Sequence, residues 1–456
     1  MKNIGLLMIA TVLLSSCGVY EKYERPTDVA LALSYRDIPM KERRTSSLGR
    51  VSWKGLFKDT HLQALIETGL ENNTELRTAH LRVQEAEAVL FKSKLSYLPS
   101  VSLSPEGTLN SFDGAKPSKT YSLAASASWE IDIFGKVTNA KREAKADWEG
   151  SVAYGQAVQT GLIATIADSY YTLLMLDRQL AINEETMESW EKSIEVMELL
   201  KQAGESNDAA VLQARANRLA LETTVWNTRQ SIHEMENSLS TVLGVYPQQI
   251  ERGTLDEQEF PDTVTAGVPL QLLADRPDVR QAEWELARTF YATHSARAAF
   301  YPSLTLSGSA GWTNNSGTGI VNPGVMLLSA VGSLTQPLFN KGIHIANLKV
   351  AKAQQEEAKL AFQQTLLDAG QEVNDALTQW QMADHRIDLG NRQVGTLQEA
   401  LCKTELLMRH SSTNYLEVLT AQQTLLSVEL TLTQNRFEKI QGVINLYHAL
   451  GGGSDK

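Results

Sequence analysis

The sequence predicts a mainly α-helical chain that carries membrane β-structure and is built as two copies of one unit. Three observations predict it. Hydrophobic residues recur at every second position in short stretches after Pro99 and Pro302. Long proline-free stretches keep coiled-coil spacing. Residues 98–104 match residues 301–307 at an offset of 203, Leu98-Pro99-Ser100-Val101 against Tyr301-Pro302-Ser303-Leu304.

The chain opens with Met1-Lys2-Asn3, an apolar run over 4–14, and Leu14-Ser15-Ser16-Cys17-Gly18. Such a run is too short to span a bilayer, which takes about 20 apolar residues, but it fits a secretory signal. Small residues followed by Cys17 resemble a bacterial lipobox, in which the cysteine becomes a lipidated N-terminus. An ordinary signal with a chance cysteine is the alternative; Leu14 at minus three and the small residues favour the lipobox. Gly18 resembles the second residue of lipoproteins sent to the outer membrane. No later run is apolar enough for a transmembrane helix, so any crossing must use strands.

The duplicated order divides the chain into a signal peptide (1–16), a lipid-anchored segment (17–59), a first repeat (60–250), a linker (251–270), a second repeat (271–450) and a tail (451–456). The repeats hold hairpins at about 100–133 and 303–338 and helices at about 137–244 and 342–450. The offset grows along the repeat: Phe134-Gly135-Lys136 aligns with Phe339-Asn340-Lys341, and Val211-Leu212 with Val418-Leu419.

Each repeat begins with helix, over 60–97 and 277–300, rich in Ala, Glu, Arg and Leu. After the prolines the period becomes two. Leu304, Leu306, Ala310 and Trp312 alternate with Thr305, Ser307, Ser309 and Gly311; Tyr121, Leu123, Ala125, Ala127, Trp129 and Ile131 alternate with Ser122, Ser126, Ser128 and Glu130. Turn-rich residues 111–119 and 313–324 separate the strands. Strands of about 10–13 residues suit a tilted bilayer crossing. A half-buried soluble sheet shows the same alternation.

Residues 137–204 and 343–410 then lack proline. Helices of about 65 residues would each be about 100 Å long. Their seams are Leu162, Ile166, Tyr170, Leu173, Leu176, Leu180 and Phe362, Leu366, Ala369, Val373, Leu377, Trp380. Breaks at Gly204-Glu205-Ser206-Asn207 and Ser411-Ser412-Thr413-Asn414 precede return helices, the second with a seam at Val418, Ala421, Leu425, Val428 and Leu432. Four strands per chain cannot close a membrane barrel, for which about eight is the minimum. Open edges in lipid then demand oligomerisation, and three copies supply twelve strands around a passage lined by small polar residues.

The segment Leu272-Leu273-Ala274-Asp275-Arg276-Pro277-Asp278-Val279-Arg280-Gln281-Ala282-Glu283 resembles the signature of the outer-membrane factor lipoproteins, the TolC-like partners of tripartite efflux pumps. Tyr23-Glu24-Arg25-Pro26, Trp53 with Phe57 and Asp59, Tyr301-Pro302-Ser303 and Gln336-Pro337-Leu338-Phe339 follow in the family's order. The resemblance implies a homotrimer with a twelve-stranded outer-membrane barrel on a periplasmic helical barrel. It also implies a periplasmic adaptor and an inner-membrane pump as partners, and passive export of small molecules.

It further implies an aperture at the helix tips, where 413–421 matches the family's motif and Glu417 falls at an acidic ring. Carboxylates converging on a threefold axis repel one another and attract cations. A solvated glutamate in a first helical turn is the alternative. Thr420 stands where the family has a second acid, Thr413 where it has an arginine and Met408 where it has a tyrosine, so the family's closing links do not carry over. Asp208 occupies the first-copy tip, more as a helix cap, and the turns at Gly204 and Ser411 match the adaptor-contact position.

Other classes fit poorly. With 42 Lys+Arg against 53 Asp+Glu the net charge of -11 argues against nucleic acid. Eight histidines are scattered without catalytic motifs, the two cysteines, Cys17 and Cys402, form no metal-ligand pair, and Cys402 reads as a buried or partly buried thiol. No enzyme, metal site or cofactor beyond the lipid on Cys17 is expected. The rival readings are a lipid-anchored coiled-coil scaffold without a pore and a channel for protein secretion.

Overall fold

A computed structural model describes residues 21–26, 51–204, 208–258, 260, 276–314, 325–409 and 415–452; Cys17, Ser411 and Thr413 lie outside the described residues. In chain order the elements are α1 (Trp53–Leu56), α2 (Thr60–Asn72), α3 (Thr74–Leu95), β1 (Ser100–Asn110), β2 (Ser118–Ile131), α4 (Lys136–Gln202) and α5 (Asp208–Val242). A 3-10 turn (Leu255–Glu257) follows, then α6 (Pro277–Ala298), β3 (Ser303–Asn314), β4 (Val325–Thr335), α7 (Ile343–Arg409) and α8 (Tyr415–Ala449). Helix lengths recur in pairs: α3 and α6 have 22 residues, α4 and α7 have 67, α5 and α8 have 35.

Two sequence expectations shift. The stretch 60–97 is two helices, because Asn73 takes an extended conformation (ψ 125°) and its Oδ1 accepts from Leu76 N at 2.9 Å, capping α3. The long helices begin just after Gly135 and Gly342, both at positive φ (72° and 77°). These glycines are 207 apart, so aligning Phe134-Gly135-Lys136 with Phe339-Asn340-Lys341 falls two residues short of the helix starts.

The described residues divide into two compact units. The first comprises Met1–Ala30, Leu81–Ala153 and Arg280–Thr365. It holds an antiparallel four-stranded sheet in the order β1-β2-β3-β4, so β1 and β4 are both edges. Pairing carries the alternation of each strand into register with the next. Leu103, Ala125, Ala310 and Leu328 form one row across the sheet, and Ser102, Ser126, Ser309 and Ser329 the adjacent row on the opposite face. The serine hydroxyls meet in pairs, Ser102 with Ser126 at 2.8 Å and Ser309 with Ser329 at 2.9 Å. The apolar face is uncovered: Val101 is 74% exposed and Leu328 70%, with Trp129 and Trp312 exposed on it as well. On β4 the pattern is weaker: by register Val325, Leu327 and Val331 fall in the rows of the hydroxyl face, opposite Thr313, Gly311 and Ser307.

Helical parts of this unit bury small residues, Ala86, Ala144, Ala146, Ala287 and Ala351. Small side chains allow close backbone approach: a Cβ at Gly150 on α4 would stand 3.5 Å from Trp284 on α6. Asp132 caps α4, accepting from Val137 N at 3.0 Å and Thr138 N at 2.8 Å. Residues 21–26 dock on α6, where Tyr23 N donates to the Tyr291 hydroxyl at 3.2 Å and Arg25 pairs with Glu283.

The second unit comprises Leu31–His80, Tyr154–Val279 and Leu366–Lys456. Its core collects the α4 seam residues Leu162, Ile166, Tyr170 and Leu173 with Phe57, Ile66, Leu239, Ile444 and Tyr447. The α7 seam is buried from Leu366 through Leu377. On α8 the expected seam is buried at Val418 and Leu432 while Ala421, Leu425 and Val428 are half-covered, and Gln422, 4% exposed, takes the central position. Cys402 is exposed, correcting the expectation of a buried or partly buried thiol; its neighbour Leu401 occupies the more covered side of α7. In the described part of the 251–270 linker Leu255 enters the core, as does Ile250 just before it, and Arg252 reaches Asp177 and Glu236, each at 2.5 Å. Among the described residues no helix is long and apolar enough to cross a membrane.

Candidate functional site at the helix tips

The turn between α4 and α5 begins where Gly204 adopts φ 79°, a left-handed conformation that closes α4 through Gly204 N donating to Lys201 O at 3.0 Å. Asp208 is the first residue of α5 and pairs with Lys201 across the turn. That hydrogen bond and the adjacent ammonium charge hold its carboxyl below the usual range. Asp208 therefore acts by bracing the turn with an ion pair, beside the favourable placement of an acid in a first helical turn.

Below the turn α4 and α5 meet through Ile194, Met197, Val211 and Ala214, and Tyr415 at the start of α8 packs against this cluster. Burial pushes the Tyr415 phenol upward. Two turns further along α8, Gln422 Nε2 donates to Ser193 Oγ at 3.1 Å. The start of α8 is thus seated on the α4–α5 tip by one aromatic and one buried amide. Glu417 and Thr420 lie between these two anchors and are exposed; the Thr420 hydroxyl donates to Leu416 O at 2.7 Å, a bond within its own helix. Along the outside of the hairpin Glu198 pairs with Arg215 and Glu191 with Arg218, lining a groove of about 280 Å³ with Ile194 and Leu219.

Sequence reasoning gave no role of its own to Arg276 in the 272–283 segment. Arg276 is 2% exposed and binds three elements at once. It grips Asp278 with two nitrogens (3.0 and 2.7 Å), Glu372 on α7 at 2.7 Å and the Ala449 carbonyl, the last residue of α8, at 2.8 Å. Burial and the Arg276 charge lower the neighbouring His448. A second network centres on Asp59, which accepts from the Tyr170 hydroxyl (2.6 Å) and Gln258 Nε2 (3.0 Å) while capping α2 at His61 N (2.8 Å). An acid placed just before a helical pattern was the available signal for the cap; nothing in the sequence signalled its distant partners. Among the described residues no group of His, Cys, Asp and Glu could hold a metal ion.

Known proteins share this fold. The profile of the family described as outer membrane efflux protein matches residues 65–245 and again 268–452. The cation efflux system protein CusC of Escherichia coli is 28% identical over 446 residues, 96% of each chain. The protein named Probable outer membrane lipoprotein SilC, of Salmonella typhimurium, is 27% identical over 461 residues, 99% of each chain. The fold superposes on a crystal structure of CusC (27% identity, TM-score 0.85, 95% of this chain and 99% of that one). It also superposes on the open state of the Neisseria gonorrhoeae MtrE outer membrane channel (27% identity, TM-score 0.86, 95% and 98%). The two faces of the sheet and the paired long helices have one explanation in common: the chain belongs to the outer membrane efflux protein family and is an outer-membrane channel component of a tripartite efflux system, with a large periplasmic part.

Proposed function

We propose that three copies of the chain close a twelve-stranded barrel in the outer membrane, continued by a periplasmic tube of helices, and that small molecules pass through it passively. The observation that carries this reading is the sheet: across β1, β2 and β3 apolar and small polar residues segregate to opposite faces, while β1 and β4 remain open edges. An open strand edge in lipid leaves unpaired backbone groups, and cyclic pairing of β1 with a neighbour's β4 satisfies them. The role is passive, with no catalytic step.

The chain is read as a signal peptide (1–16), an N-terminal segment held by covalent lipid on Cys17 (17–59), two repeats (60–250 and 271–450) with a linker (251–270), and a tail (451–456). Paired helix lengths and the double family match support the duplication. A relative named Probable outer membrane lipoprotein SilC supports the anchor. The periplasmic aperture is assigned to Glu417, Thr413, Thr420 and Asp208, and the contact with a periplasmic adaptor and its inner-membrane pump to the tips at Gly204 and Ser411. The seating of Tyr415 on the α4–α5 tip supports the aperture, since it holds Glu417 at the end of the hairpins.

Single-channel recording of the purified protein in planar bilayers, with its mass measured in detergent, tests the reading. A trimer giving cation-selective steps, with selectivity reduced in Glu417→Ala, is expected. A monomer that gives no steps overturns it.

A further inference from the structure

We infer that Glu106 gives the strand section of the conduit a preference for cations, at a level distinct from the helix tips. The inference rests on the conduit reading proposed above. β1 leaves α3 at Ser100 and reaches its hairpin after Asn110, so Glu106 lies in the half of the strand remote from the helices. Register sets it on the hydroxyl face, opposite Ser122, which in turn pairs with Thr313. The neighbouring rows are Thr108 with Thr120, and Ser104 with Ala124 and Gly311.

The charges on this face decide the argument. Among the described residues of the four strands it carries two ionisable groups, Glu106 and Glu130. Glu130 is neutralised by Lys136 at 2.8 Å. Lys119, the described strand residue of opposite sign, pairs with Leu109 and belongs to the other face. Glu106 is exposed, and no described side chain forms an ion pair with it. Hydroxyls and small residues around it supply no compensating charge.

A fixed carboxylate on a wall backed by apolar side chains and lipid projects its field into the water it faces, because the low-dielectric wall does not screen it. Repeated about a common axis, the same carboxylate enriches cations and depletes anions at that level. One carboxylate among hydroxyls provides too few ligands to retain a metal ion, which takes six or more oxygens in a calcium site. The effect is therefore on passage. Hydrated inorganic cations and protonated organic amines are favoured over anions of the same size.

Ser122→Cys, placed directly across from Glu106 in a Cys402→Ser background, reports the local potential through its reaction with methanethiosulfonates of similar size and opposite charge. The protein is reconstituted in vesicles and reagent is added from outside. With Glu106 present the cationic reagent is expected to react several-fold faster than the anionic one, and Glu106→Gln should bring the ratio toward unity. About 1 M salt, where the Debye length is about 3 Å, should do the same. An unchanged ratio in Glu106→Gln overturns the role of Glu106 and leaves the conduit standing. Failure of Ser122→Cys to react with either reagent means that this face is dry, and overturns the conduit reading together with the inference.

Discussion

Asn73 and Arg276 stand 203 residues apart, each immediately before a 22-residue helix, and each donates to the carbonyl of the last residue of a 35-residue helix, Val242 for Asn73 and Ala449 for Arg276. One position in each half thus ties the start of a helix leading into the strands to the end of the helix returning from the tip. The bond is equivalent, but the side chains are not. Arg276 is buried and also holds Asp278 and Glu372, whereas Asn73 serves as a neutral cap.

Arg276→Ala is expected to destabilise the protein by about 2–3 kcal/mol, since it removes charge-assisted hydrogen bonds to Asp278 and Glu372 and leaves the Ala449 carbonyl without its donor, while the two carboxylates remain partly exposed to water. Arg276→Lys should recover little of this, because an ammonium cannot reproduce the two-nitrogen grip on Asp278. Asn73→Ala is expected to cost about 1–2 kcal/mol, through loss of a cap and one hydrogen bond. Thermal unfolding of the three variants checks the ranking.

The two glycines that follow these helix ends give a second comparison. Gly244 and Gly451 have φ 71° and 74°, and Val245 N to Ser240 O and Gly452 N to Tyr447 O close the same C-terminal motif at 3.0 and 2.9 Å. A Cβ at Gly244 would lie 2.7 Å from the Asn72 carbonyl oxygen, whereas at Gly204, also left-handed, nothing among the described residues lies within 4 Å. Gly204→Ala should therefore cost only the backbone strain, about 1–2 kcal/mol. Gly244→Ala should cost distinctly more, and a larger fall in unfolding temperature for Gly244→Ala is the measurable sign.

Asp59 predicts a pH dependence. Burial raises its carboxyl, but hydrogen bonds from the Tyr170 hydroxyl, the His61 amide and the Gln258 side chain outweigh burial and hold it below the usual range. A depressed folded value means the stabilisation is complete above the unfolded aspartate value of about 3.9 and is lost as pH falls through the lower folded one. Asp59→Asn should thus melt earlier than the parent at neutral pH, and the gap should close below about pH 4. A gap that stays constant down to pH 2 would contradict the linkage.

Tyr415 predicts a phenotype at the aperture. Removing its ring takes away the aromatic that seats α8 on Ile194, Met197, Val211 and Ala214. Tyr415→Ala is expected to loosen the tip. Cells carrying it should become more sensitive to large antibiotics normally held outside, with the amount of outer-membrane protein unchanged on immunoblots. Unaltered sensitivity would mean that Gln422 and Ser193 alone seat the helix.

The elements were legible because each announces itself locally. Pro99 and Pro302 stop helices, the period of two marks strands, and long runs free of proline mark α4 and α7. The register of β2 on β3 was not legible, since it joins residues 173 to 193 apart, yet it is what turns alternating strands into two chemically distinct faces. The tip was only partly readable. Glu417 is a first-turn acid by sequence, but the seating of Tyr415 depends on a cluster contributed by α4 and α5. Arg276 shows the same limit: its partners Glu372 and Ala449 lie 96 and 173 residues away.

The open edges of β1 and β4 bear on the life of the chain before assembly. Each offers a row of unsatisfied amides and carbonyls, and the sheet between them has an uncovered apolar face, the combination that templates indiscriminate strand addition. Productive closure and misassociation therefore draw on the same surfaces and both quicken with concentration. The cell must keep new chains dilute or shielded until they meet, and overproduction should yield insoluble protein long before it saturates the membrane.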